Sequence, residues 1–155
     1  MSDISNTAAK IRGLSLFNEF TDTELDSFAD LVDCACYTDG QMIVKQDEPG
    51  DSMFVIVEGT VKVIHRADNR EIELATLVAG DFFGELALVD EGPRSADVLA
   101  IGNVQMLAVT QATIRALAGV YPSASFKLLI AVGRVLVARL RQGNKKYVDS
   151  LLMSK

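Results

Sequence analysis

The spacing of apolar residues changes character twice along the chain and divides it into three zones. In the first, up to residue 33, Leu25, Phe28, Ala29 and Val32 recur at helical spacing, which predicts a short helix over 22–32. Thr21-Asp22-Thr23-Glu24 in front of them is a capping box, with a hydroxyl at the N-cap and a carboxylate three residues on. Leu14, Leu16 and Phe17 read as a hydrophobic tether onto a core. Glu19, Asp22, Glu24, Asp26 and Asp30 read as a solvated face rather than a metal site.

In the second zone, 34–109, short apolar runs alternate with glycines. Strands are expected at 42–44, 53–57, 61–64, 72–78, 98–101 and 104–109, with turns at Gly40, Gly50, Gly59, Gly80, Gly92 and Gly102. Glu58-Gly59 between two apolar runs suggests a hairpin. Short strands at this spacing, with no helices between them, point to an antiparallel roll or barrel. The third zone, 110–155, is helical. Thr110 can cap a helix over 111–119, and Pro122-Ser123 opens a long one over 122–152. Leu129, Val132, Leu136, Leu140, Tyr147 and Leu151 form an apolar stripe along it, read partly as intrachain packing and partly as a candidate seam for a homodimer. The fold class expected is α+β: a jelly-roll-like antiparallel β-roll with short N-terminal helices and a long C-terminal helix, built as a single domain.

Composition narrows the classes. The chain has 155 residues, is 49% hydrophobic and carries a net charge of -6. That length and apolar share suffice for a core, and the acidic balance disfavours a dedicated nucleic-acid partner. No apolar run reaches the roughly 20 residues of a membrane span, and no signal-peptide pattern stands at the start, so the reading is cytoplasmic with no membrane partner. Cys34 and Cys36 are too close along a strand to bridge without strain and read as buried free thiols in a reducing compartment. The one histidine, His65, reads as a surface strand residue. With no His/carboxylate cluster to activate water, the chain is not expected to be an enzyme.

One stretch, residues 80–96, does not read as strand: Gly80-Asp81-Phe82-Phe83-Gly84-Glu85-Leu86-Ala87-Leu88-Val89-Asp90-Glu91-Gly92-Pro93-Arg94-Ser95-Ala96. Gly84 allows close approach of backbone. A short helix starting there aims unpaired N–H groups at an anion. Arg94 offers a planar fork for two phosphate oxygens, with a salt bridge to Asp90 or Glu91 as its structural alternative. Ser95 adds a hydroxyl donor. Glu85 would repel a phosphate and suits a sugar hydroxyl instead.

Phe83-Gly84-Glu85-Leu86-Ala87-Leu88, followed after five residues by Arg94-Ser95-Ala96, resembles the phosphate-binding cassette of the cyclic nucleotide-binding domain family. Regulatory subunits of cAMP-dependent protein kinase, the bacterial catabolite activator protein and cyclic-nucleotide-gated channels belong to that family. Gly40 before 42–45, then Glu48-Pro49-Gly50-Asp51, then 54–59 are similar as well. The resemblance implies a cAMP receptor. Glu85 would accept from the ribose 2′-hydroxyl and Arg94 would neutralise the cyclic phosphate. Gly84, Leu86, Ala87 and Ser95 would supply donors around it. Leu74 would pack on the base, and Asn144 would reach the purine edge. Serine at 95 leaves cGMP as the alternative ligand. The helix over 122–152 is expected to fold over the base and relay occupancy. With no room for a DNA-binding helix-turn-helix before Lys155, the output is expected in an effector protein or elsewhere. A regulatory subunit that inhibits a partner, and a degenerate scaffold, are the competing readings.

Overall fold

A computed structural model describes residues 4–153. The chain runs α1 (Ile4–Ile11), α2 (Asp22–Leu31), β1 (Asp33–Tyr37), β2 (Met42–Val44), β3 (Ser52–Ala67), β4 (Arg70–Val78), β5 (Phe82–Phe83), β6 (Asp97–Thr110), α3 (Gln111–Val120) and α4 (Pro122–Met153). Every strand pairing is antiparallel, in the order β1-β6-β3-β4, with β2 on β6 and β5 on β3. This is the expected roll with short N-terminal helices and a long C-terminal one. Among the described residues, no helix is long and apolar enough to cross a membrane.

The caps form as the sequence implies. The Thr21 hydroxyl accepts from the Glu24 amide while the Glu24 carboxylate accepts from the Thr21 amide. Thr110 caps α3 in the same reciprocal way with Thr113. The helices seal one side of the roll. Phe17, Phe20 and Phe28 meet at ring distances of 5.2–6.0 Å, and Leu25, Met53, Val55, Phe82, Leu107, Leu117 and Leu128 complete that core. A second cluster inside the roll gathers Phe54, Ile56, Val61, Phe83, Val98 and Met106.

Four expectations need correction. Glu58-Gly59 is not a hairpin: the two runs around it join into the single strand β3, and the register slips on either side of Glu58. Gly59 is a bulge residue at φ +103, and a Cβ there would stand 2.5 Å from the Asn103 carbonyl and 2.9 Å from Val104 Cα. Likewise β6 runs through Gly102 instead of turning there. The true hairpin lies at Asp68-Asn69, whose φ values of 52° and 62° join Ala67 to its partner Arg70 by a two-residue turn. Third, Glu24 is not solvated but only 3% exposed. It accepts from Ser123 Oγ and Lys127 Nζ, each at 2.7 Å, and so ties α2 to α4. Fourth, the cysteines are free but not buried. They lie on β1, which among the described residues pairs with β6 alone; Cys34 is half-buried beside Thr7 and Cys36 is exposed.

Candidate functional site

The cassette begins where β5 ends. Phe83 pairs with Phe54 of β3 in register, their rings stacked at 5.3 Å. Gly84 then turns the chain at φ +76, and a single 3₁₀ turn covers Glu85–Leu88. The first amides of such a turn have no internal acceptor. The Ala87 amide, by contrast, already donates to the Gly84 carbonyl at 3.1 Å, which removes it from the expected set of free donors. The turn borders a cavity of about 310 Å³ lined by residues of the stretch from Gly84 to Ser95 other than Leu88 and Glu91.

Arg94 lies across this cavity between two glycines. A Cβ on Gly84 would come within 2.5 Å of the guanidinium and 2.9 Å of the Ser52 carbonyl, and one on Gly50 would overlap Arg94 Nε. The backbone around Arg94 is pinned: its amide donates to the Glu48 carbonyl and its carbonyl accepts from the Asp47 amide, both at 2.8 Å. Pro49 bridges to Pro93 in the same strip. The side chain rests over the Phe54 ring, 5.9 Å from its centroid. Burial pulls the guanidinium below its ordinary pKa, and the Asp51 carboxylate pushes the other way. No ion pair among the described residues includes Arg94, so the salt bridge to Asp90 or Glu91 does not form. A half-buried cation without a carboxylate within 4 Å, at the rim of a cavity, can receive an anion there.

Glu85 is paired instead. Arg139 of α4 reaches over the cassette, with its Nη1 3.7 Å from the Glu85 carboxylate. Its guanidinium stands 4.9 Å from the centroid of the Phe82 ring and donates to the Phe82 carbonyl at 3.4 Å. Leu86 and Val89, 67% and 85% exposed, give the cavity an apolar rim.

Six of the eight residues expected from the sequence therefore line one cavity: Gly84, Glu85, Leu86, Ala87, Arg94 and Ser95. Leu74 and Asn144 do not. Leu74 is exposed on β4, and Asn144 is exposed on α4 beyond the point where that helix touches the cassette. Sequence reasoning missed Arg139, Gly50 as the seat of Arg94, and Val89. Only Gly50 left a signal, as part of the Glu48-Pro49-Gly50-Asp51 motif.

Comparisons with known proteins bear on the family to which the chain belongs. Residues 35–121, more than half of the chain, match the family model described as cyclic nucleotide-binding domain. The type II regulatory subunit of cAMP-dependent protein kinase from Drosophila melanogaster is 44% identical over 82 residues, 53% of this chain and 22% of that protein. The cGMP-dependent protein kinase, isozyme 1, of the same organism is 32% identical over 120 residues, 75% of this chain and 16% of that protein. The crystal structure of the Thermus thermophilus catabolite activator protein superposes with a TM-score of 0.75 at 27% identity, covering 85% of this chain and 61% of that one. The chain thus spans about a fifth of the two kinase-related proteins. Taken with the cassette, the matched stretch shows that the chain belongs to the cyclic nucleotide-binding domain family.

Proposed function

We propose that this chain is a non-catalytic receptor module for a cyclic nucleotide, with cAMP preferred over cGMP. The observation that carries the reading is Arg94: a half-buried guanidinium, seated between Gly50 and Gly84, with no carboxylate partner among the described residues. A cyclic phosphodiester offers one compact negative charge and two oxygens that the planar fork can meet. The amides of the first turn after Gly84 and the Ser95 hydroxyl complete a donor set. Glu85 faces the sugar and accepts from its 2′-hydroxyl, exchanging or sharing its contact with Arg139. Leu86 and Val89 give the purine an apolar rest, with Leu74 farther out on β4.

The ligand then acts on α4. Arg139 already joins this helix to Glu85, so a ribose at Glu85 perturbs the helix directly and shifts it toward whichever arrangement binds the ligand better. Asn144 meets the purine only if the second half of α4 closes over the cavity. Of the expected stripe, Val132 is buried and Leu136 packs against the core, whereas Leu129, Leu140 and Tyr147 are exposed; a second copy of the chain covers these together with Phe126, Ile130 and Val137 as a homodimer. Sedimentation at micromolar concentration should give a dimer; a monomer would remove this part of the reading. An effector protein that reads the state of α4 follows from the same logic.

Calorimetry with cAMP and cGMP tests the receptor itself. The parent should bind cAMP more tightly than cGMP. Arg94→Ala should weaken binding at least about tenfold, since a charge-assisted hydrogen bond contributes about 1.5–3 kcal/mol. Unchanged affinity in that variant would show that the phosphate sits elsewhere.

A further inference from the structure

His65 and Arg66 are neighbours near the end of β3, and both hold the chain that leaves the cassette. Arg66 Nε pairs with the buried Asp97 carboxylate at 2.8 Å. His65 Nδ1 lies 2.9 Å from the carbonyl oxygen of Ser95. The pairing of β3 with β6 reaches only to Ile64 and Asp97, so Ser95 stands just outside the ladder. On its other side Arg94 is held entirely by backbone, through Asp47 and Glu48. At Ser95 the support therefore passes from main chain to one imidazole.

A carbonyl oxygen only accepts, so the ring nitrogen facing it must carry a proton. Nδ1 is protonated in one of the two neutral tautomers and in the imidazolium. Fixing that carbonyl fixes the peptide plane after Ser95, a residue that lines the cavity.

We propose that His65 is a positioning residue of the cyclic nucleotide site: its Nδ1–H holds Ser95 in place without touching the ligand. This rests on the receptor reading above.

The chain has a single histidine, so its ring nitrogens give one unambiguous set of signals in protein labelled with nitrogen-15 histidine. In mildly alkaline solution the ligand-free protein should show a protonated Nδ1. An unprotonated Nδ1 would overturn the proposal. Calorimetry with cAMP then supplies the functional arm. His65→Leu, which removes the donor, should bind about three- to tenfold more weakly. His65→Asn, whose amide nitrogen can stand where Nδ1 stands, should bind within about twofold of the parent. Equal losses in both variants, or no loss in His65→Leu, would refute the role of Nδ1. Should the leucine variant fail to fold, the parent spectrum and the asparagine variant still decide. Arg94→Ala in the same series separates the two levels. If it binds like the parent, the receptor reading fails; if it loses affinity while His65→Leu does not, only the role of His65 falls.

Discussion

Glu24 and Glu85 each pair with a cation on α4, at two levels of the same helix. Glu24 meets Lys127 at 2.7 Å, is 3% exposed, and also accepts from Ser123 and from the Thr21 amide. Glu85 meets Arg139 at 3.7 Å, and the arginine side chain is 42% exposed. Around Lys127 the helix buries Ala124, Ser125, Leu128 and Val132; from Val137 onward its residues are exposed. The same chemistry therefore does two jobs. Where the pair is desolvated and every oxygen is used, it fixes the base of the helix. Where it is longer and half-solvated, it leaves a contact that another group can displace.

The sharpest way to break this contrast is Glu24→Gln. Burial alone would raise the Glu24 carboxyl, but Lys127, Ser123 and Thr21 outweigh it and hold the pKa at about 2, against an ordinary 4.5. Removing the charge strands Lys127 and should cost about 2–3 kcal/mol in urea unfolding near neutral pH. Because the folded value is depressed, this contribution is present above pH 4.5 and fades as the pH falls toward 2. The gap between parent and variant should close over that window; a constant gap would show that packing, not charge, is at stake. Arg139→Ala should do far less to stability, about 1 kcal/mol or less, because it removes one half-solvated pair, one ring contact and one long hydrogen bond to the Phe82 carbonyl. Its effect should appear in hydrogen exchange instead: faster exchange over 137–153 and unchanged protection over 122–132. Ligand should alter the same outer segment in the parent. Unchanged protection there on binding would count against a relay through this helix.

Legibility followed the range of the interaction. The α2 and α3 caps were readable because hydroxyl and partner lie three residues apart. The cassette was readable because Gly84, Glu85 and Arg94 sit within one short segment. Glu24 read as solvated because its partners, Ser123 and Lys127, come from the far end of the chain. Arg139 was invisible for the same reason: nothing local says which face of a long helix will cross a cassette. The glycines misled differently. Gly59 and a turn glycine look alike in sequence, and only the approach of β6 at Asn103 decides for a bulge. Gly50 was read as a turn, whereas its missing Cβ makes room for Arg94.

Both ends of β3 touch the cassette. The Ser52 carbonyl and the Phe54 ring stand behind Gly84 and Arg94, while His65 holds Ser95. One continuous strand thus acts as a caliper whose jaws grip the two ends of a single loop. The bulge at Gly59 lies between those two contacts, where the register slips, and itself lines no part of the cavity.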